Sequence, residues 1–317
     1  MKKMIVMAMM MGLAVAVVLT GCDDGGDKKD GKKPAVTDKA VPARLSETAR
    51  ANVVQVDLKA PGAGEVKITM EGSTTVGPIA KAFAEYYMEN HKGVNITVGE
   101  SGSGNGAKAI VNGACHIANM SRFMKDKEFQ AAVYNGAMPV AHVVAMDGLP
   151  VLVHPSNPIK ALTIEQVRKI YKGEITNWKQ LGGPDKKIVA VSRDTNSGTY
   201  ETFEKLVMKK EKIAAGVEYV GSNGAVRARV QKTPAAIGYA GLGFVDRTVK
   251  ALTINGVYPS QSTVTSGRYP ISRPLFMFTN GYPKLGSHIH ALVTLHLTQK
   301  GQEIVSAIGF VPVTSYK

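Results

Sequence analysis

The sequence predicts an α/β fold with mostly parallel sheets, and three observations carry that expectation. Strand-like apolar runs alternate with helix-like segments from Val66 onward. Three of the strand-to-helix junctions share one device, a Ser/Thr/Gly turn that opens a helix, at 72–76, 101–106 and 193–199. The third is size: 317 residues, 44% hydrophobic and 20% charged, suffice for two folded domains. In folds of this class, ligands sit beyond the carboxyl ends of the strands.

The chain opens with Lys2-Lys3 and a nearly all-apolar run from Ile5 to Leu19. That run is too short to span a bilayer comfortably and reads as the core of a signal peptide over 1–21. Residues 22–65 read as a flexible tether, charged and glycine-rich at first, with one candidate strand at Val53-Val54-Gln55-Val56. The folded body starts near Val66. Val66–Met70 alternates as a strand should, and the turn Glu71–Pro78 leads into a helix with Ile79, Ala80, Phe83, Ala84 and Tyr87 at helical spacing. A second strand, Val94–Val98, runs through Ser101–Gly106 into a helix over Ala107–Val111. Asp147–Pro155 reads as a strand leaving one region for another. Leu162–Tyr171 is a capped amphipathic helix, with Gly173–Trp178 as its exit loop. The strand Lys187–Val191 ends in Ser192-Arg193 and is followed by a helix with Phe203, Leu206 and Val207. Ser222–Val226 opens another helix, Ala235–Gly241 holds a short strand, and Leu275–Thr279 and Ile289–Leu297 supply a last strand and helix.

The 193–199 turn is the most chemical of these. A helix opened by Ser-Gly-Thr presents free N–H groups and the positive end of its dipole, and Arg193 adds a planar fork, which suits a tetrahedral oxyanion. The same residues also suit an ordinary cap by Asn196 or Ser197 with Arg193 as a surface charge. Three such turns converging on one anion would supply its donors without a metal. Gly102-x-Gly104-x-Gly106 is neither a dinucleotide fingerprint nor a P-loop, since no Gly-Lys-Ser/Thr follows.

Other classes are set aside on composition and spacing. The formal charge of +14 fits an anionic partner, but the lysines are dispersed, there is one Trp, and no nucleic-acid module is present. His288, His290 and His296 read as scattered surface histidines rather than a metal site, and His116 as a packed or capping residue. No metal or cofactor is expected. Ser197 lacks the nucleophile elbow, so no enzyme is expected. Tyr86-Tyr87, Tyr171 and Trp178 read as packing residues. Cys115, among small and apolar neighbours, reads as a buried small hydrophobe.

Two resemblances sharpen the reading. Leu19-Thr20-Gly21-Cys22 resembles the bacterial lipoprotein lipobox, which implies cleavage before Cys22, its lipidation and a membrane tether; Cys115 is then left without a disulfide partner. Asp23 resembles the inner-membrane retention signal of some Gram-negative lipoproteins. From about residue 66 to the end the chain resembles the phosphate-binding proteins of bacterial phosphate-specific ABC transporters. The matching pieces are Gly72-Ser73-Thr74-Thr75-Val76, Ser101-Gly102-Ser103-Gly104, Met120-Ser121-Arg122, Asn157-Pro158, Gly173–Trp178, Arg193-x-x-x-Ser197-Gly198-Thr199 and Ile237-Gly238-Tyr239.

The family resemblance implies a two-lobe, type II periplasmic-binding-protein-like fold, with mixed sheets flanked by helices and the ligand in the interlobe cleft. It places lobe one at 66–150 and 248–317 and lobe two at 151–247. Carried over by position, the phosphate donors are Ser73, Thr74, Thr75, Val76, Ser103, Ser121, Arg193, Ser197, Gly198 and Thr199. It also implies partners, a permease and an ATPase subunit, and an extracytoplasmic monomer. There are departures. Ser121 stands where some members have an aspartate, and Cys115-His116-Ile117-Ala118 replaces a turn that usually reads Ala-Asp-Ile-Gly. Glu71, Glu100 and Asp194 are the candidate replacement acceptors, and Arg122 is either a second ligand cation or a lobe-surface salt bridge. A binding protein for another tetrahedral oxyanion such as sulfate, a phosphate-ester hydrolase, and a sensory or adhesive surface protein are the alternatives.

Overall fold

The computed structural model describes residues 66–314. The segment 1–21, Cys22, the tether 22–65 and the candidate strand at Val53–Val56 lie outside the described residues. The first lobe is built from β1 (Val66–Gly72), α1 (Gly77–Asn90), β2 (Val94–Val98), α2 (Ser103–Val111), β3 (Ile117–Met120), α3 (Asp126–Tyr134) and β4 (Pro139–Gly148). The chain then crosses to a second lobe of β5 (Val151–Val153), β6 (Ala161–Leu162), α4 (Ile164–Tyr171), β7 (Val189–Arg193), α5 (Gly198–Leu206), β8 (Glu218–Val220), α6 (Asn223–Gln231), β9 (Ala236–Tyr239), β10 (Lys250–Ala251) and β11 (Thr253–Ile254). After α7 (Gln261–Thr265) it returns through β12 (Ser272–Asn280) and ends in α8 (His288–Thr294) and α9 (Gln299–Ala307).

Each lobe holds a five-stranded sheet, ordered β2-β1-β3-β12-β4 in the first and β10-β5-β9-β7-β8 in the second. The sheets are mixed, as the family resemblance implies, rather than mostly parallel as the strand–helix alternation suggests. β1 pairs with β2 and β3 in parallel, while β12 runs antiparallel to both β3 and β4. The cause is the crossover. A strand arriving from the other lobe enters at the end where the parallel strands finish, so it must run against them. β5 does the same in the second lobe, antiparallel to β9.

The return crossing comes later than residue 248. β10 pairs with β5, and β11 pairs with β6, so both stay with the second lobe's strands. Val264, Tyr269 and Ile271 also pack with Leu149, Val151 and Tyr171. The outgoing and returning segments are tied together: Leu149 N–H donates to Ile271 O at 2.7 Å, and Tyr269 OH donates to Leu149 O at 3.1 Å.

Local sequence explains the elements that frame the cleft. β1 alternates, burying Ile68 and Met70, and joins Phe83, Leu292 and Phe310 in the first lobe's core. Fully burying side chains of this kind contributes about 1.5–3 kcal/mol each. β1 ends at Gly72, whose φ of +131° and whose contact with Asn119 O, 2.3 Å from where a Cβ would stand, admit only glycine. α4 starts at Thr163 with a full capping box to Gln166, and it buries Val167, Ile170 and Tyr171. Tyr171, Phe203 and Tyr239 pack as an aromatic trio, with Phe203 stacked on Tyr239 at 3.8 Å.

Three expectations on side chains change or sharpen. His288, His290 and His296 are buried rather than on the surface, because α8 and the turn after it pack into the first lobe. Two of them have partners, Tyr87 OH at 3.0 Å from His288 Nδ1 and Val293 O at 2.8 Å from His296 Nδ1, while His290 Nδ1 is buried without one among the described residues. Burial pulls the His296 imidazole down to about 4, which keeps it neutral. His116 Nδ1 accepts from Thr69 N–H at 3.0 Å, a cap between neighbouring strands. Among the described residues no group of three metal-ligating side chains is assembled, and no helix is long and apolar enough to cross a membrane.

Cys115 is buried with Ala107, Ile110 and Phe276. Burial, with the Glu71 carboxylate adding to it, pushes the thiol up to about 12. Since only the thiolate reacts, alkylation of Cys115 at pH 8 is expected to be at least about a thousandfold slower in the native protein than in denaturant. Peptide mapping after timed iodoacetamide treatment measures this, and fast native labelling contradicts it.

Candidate functional site

The C-terminal ends of β1, β3 and β7 and the first turns of α2, α5 and α6 meet between the lobes. All ten of the expected donor residues sit there or at its edge, and the serines, threonines and Arg193 among them are buried. From the first lobe, Ser73 Oγ accepts from Thr75 N–H at 3.1 Å and from Val76 N–H at 3.3 Å. Ser73 thus shapes the turn rather than facing outward. Ser103 Oγ lies 3.2 Å from Ser121 Oγ and accepts from Ser121 N–H at 3.0 Å.

From the second lobe, Ser197 caps α5 by accepting from Thr199 N–H and Tyr200 N–H at 3.1 and 3.2 Å. Gly198 is the first residue of that helix, so its N–H has no intrahelical carbonyl to bond. A Cβ on Gly198 would lie 2.6 Å from both Ser103 Oγ and Ser121 Oγ. Glycine therefore lets the helix start approach the two serine hydroxyls of the other lobe. Thr75 Oγ1 and Thr199 Oγ1 meet across the cleft at 2.9 Å. Main chain meets main chain as well, with Gly104 N–H donating to Asn196 O at 2.9 Å.

Arg193 ends β7 and is 1% exposed. Its Nε donates to Val220 O at 3.1 Å and its Nη2 to Gly221 O at 2.8 Å. Nη1 is buried without a hydrogen-bond partner among the described residues. Burial lowers the guanidinium to about 10, with Asp194, 3.7 Å away, pulling the other way, so it stays charged at neutral pH. A buried, charged nitrogen with spare hydrogens costs free energy until an anion meets it.

The candidate acceptors are engaged elsewhere. Glu71 Oε1 accepts from Ser101 Oγ at 2.6 Å and Gly72 N–H at 2.9 Å, tying two turns together. Glu100 pairs with Lys81 at 3.0 Å. Asp194 Oδ1 accepts from Asn196 N–H at 2.9 Å and shapes its own turn. Arg122 is committed to carboxylates: both its Nη atoms donate to Glu128 at 2.8 Å, and its Nε lies 2.9 Å from Glu201 Oε2. Lys125 Nζ lies 3.0 Å from the other Glu201 oxygen. Glu201 belongs to α5, so this ion cluster bridges the lobes rather than decorating the surface of one. Burial would raise the Glu128 carboxyl, but the Arg122 fork and Lys125 N–H outweigh it and hold it below its ordinary value.

The residues missed from sequence are Asp147, Arg273 and Asn223. Asp147 is fully buried, and Arg273 is 5% exposed and donates to it from Nη2 at 2.9 Å and Nε at 3.2 Å. Burial pushes the Asp147 carboxyl up, and Arg273 and Leu242 N–H pull it back. Arg273 Nη2 also reaches Thr199 Oγ1 and Thr75 Oγ1, and Nη1 reaches Thr202 Oγ1. The available signal was a lone charge inside each of two apolar runs, Asp147 within 143–153 and Arg273 within 271–278.

Comparison with known proteins agrees with this architecture. A family model for the PBP superfamily domain matches residues 46–294. The phosphate-binding protein PstS of Bacillus subtilis is 35% identical over 251 residues, spanning 79% of this chain and 82% of its own. PstS of Borreliella burgdorferi is 32% identical over 257 residues, spanning 78% and 90%. A solved structure from Clostridium perfringens, with bound phosphate and provisionally assigned as a phosphate ABC transporter substrate-binding protein, superposes with a TM-score of 0.72 at 32% identity, covering 78% of this chain and all of that one.

Proposed function

The chain belongs to the PBP superfamily, within its PstS group of phosphate-binding proteins, and from that premise we propose that it captures inorganic phosphate outside the cytoplasm and delivers it to an ABC importer. The observation that carries the proposal is Arg193: a guanidinium 1% exposed, two of its nitrogens anchored on carbonyls and the third without a partner, beside the start of α5. Fork, helix dipole and hydroxyls together satisfy a tetrahedral oxyanion with no metal.

In this reading lobe two supplies Arg193, the Gly198 N–H and the Thr199 hydroxyl. Lobe one supplies Ser103 and Ser121, with Thr75 acting on the ligand through the Thr199 hydroxyl that it holds across the cleft. Ser73 and Ser197 act through their turns, while Thr74 and Val76 complete the first-lobe turn. Arg122 holds the lobes together instead of touching the ligand. The protein acts as a monomer, carries no covalent chemistry or cofactor, and is tethered through lipidated Cys22, with the permease and ATPase subunits as its partners. Isothermal titration is expected to show one tightly bound phosphate per chain. Heat with sulfate and none with phosphate overturns the reading in favour of another oxyanion.

A further inference from the structure

Arg273 lies at the base of the cleft at the start of β12, and its hydrogens can be counted. One Nη2 hydrogen turns to Asp147 Oδ2 at 2.9 Å. The other faces two hydroxyls, Thr199 Oγ1 at 2.9 Å and Thr75 Oγ1 at 3.2 Å. A guanidinium only donates, so both oxygens must accept there. Asn223 Nδ2 is a second donor to Thr75 Oγ1, at 2.8 Å. This amide cannot be turned round, because its Oδ1 accepts from Gly241 N–H at 3.2 Å.

Thr75 Oγ1 thus has a donor at each of its two acceptor positions. The bond of 2.9 Å to Thr199 Oγ1 must then use Thr75's own hydrogen. Thr199 Oγ1 is filled in turn, by Arg273 and by Thr75, and its hydrogen alone is left to leave the cluster. The first-lobe serines differ. The Ser103–Ser121 hydroxyl pair has one mutual bond and one N–H donor, so it keeps acceptor positions free.

We infer that Arg273 and Asn223 are positioning residues that fix the hydroxyl hydrogens of Thr75 and Thr199, so that this wall offers the ligand donors only. Resting on the phosphate reading above, the inference adds a protonation state. Arg193, the Gly198 N–H and the Thr199 hydroxyl all donate, so a P–OH group fits only against Ser103 and Ser121, and the dianion is the form held.

The charged and titratable groups facing this cluster are Asp147 on β4, Arg193 on β7, Tyr239 on β9 and Tyr269 before β12. Sulfate carries no proton near neutrality, so its pH profile reports those groups alone. Titration of the full protein with inorganic phosphate between about pH 5.5 and 8.5 is expected to show affinity falling about tenfold for each unit below phosphate's second ionisation, with sulfate nearly flat. Asn223→Leu, and Asp147→Asn combined with Arg273→Gln, are expected to compress the phosphate ratio between the two ends of that range at least about threefold.

A wild-type phosphate profile that is flat, or stronger in acid, overturns the inference while leaving the phosphate reading intact. So do folded variants that keep the wild-type profile, since Arg273 would then serve packing alone. Absence of wild-type phosphate binding at every pH overturns the phosphate reading itself. The wild-type comparison stays decisive should either variant fail to fold.

Discussion

Arg193→Ala is expected to weaken phosphate binding by at least about 100-fold, since charge-assisted hydrogen bonds contribute about 1.5–3 kcal/mol each and the fork can make more than one. Val220 O and Gly221 O fix the plane of the guanidinium, and Nη1 is buried without a partner among the described residues. Little side-chain entropy remains to be lost on binding. Arg193→Lys is the informative control. An ammonium keeps the charge but loses the planar fork and cannot satisfy both carbonyls and the anion, so its affinity should fall between wild type and Arg193→Ala. Titration calorimetry of the three proteins, with melting temperatures recorded alongside, separates lost contact from lost structure. An Arg193→Ala protein that binds phosphate within a few-fold of wild type would remove Arg193 from the site.

The largest effect on stability is expected at Asp147. Asp147→Ala leaves Arg273 buried without its counter-charge, a loss of about 3–5 kcal/mol. For a folded body of this size that corresponds to a melting temperature lower by roughly 10 °C. The sign of a second measurement tests the cause. Replacing both members by well-packed apolar residues, Asp147→Leu with Arg273→Met, should recover most of the loss, because the uncompensated charge goes with them. Equal destabilisation of the single and double variants would mean that shape, not charge, is the main contribution of the pair.

Most of the fold was legible because the local signals are strong. The alternation in Val66–Met70 and Val94–Val98, the box at Thr163 and Gln166, and the glycines of the three turns each dictate an element by themselves. The places of the proposed donors were legible for the same reason, since every one lies at a strand end or a helix start. The return crossing was not, and the mixed direction of the sheets came from the family resemblance rather than from any local signal. Whether Lys250–Ala251 sides with one lobe or the other depends on a partner, Leu152–Val153, distant in the chain. Asp147 and Arg273 escaped for a related reason. Each looks like an interruption of an apolar strand, and only the pairing of β4 with β12, Asp147 opposite Arg273, turns two interruptions into one ion pair. The histidines around α8 show the converse, polar residues whose burial no local pattern announces.

The contact of Gly104 N–H with Asn196 O has a consequence for what the cleft can measure. A side chain meeting a side chain can rotate out of the way, but two stretches of main chain cannot. Beside them, a Cβ on Gly102 would stand only 3.0 Å from the same carbonyl. The lobes therefore meet at a hard stop, as the jaws of a caliper do. On the phosphate reading proposed above, an ion too large to let the lobes reach that stop would forfeit every cross-lobe bond at once, from Thr75–Thr199 to Arg122–Glu201. Size would thereby be read as all or nothing, in a currency of closure rather than of individual contacts.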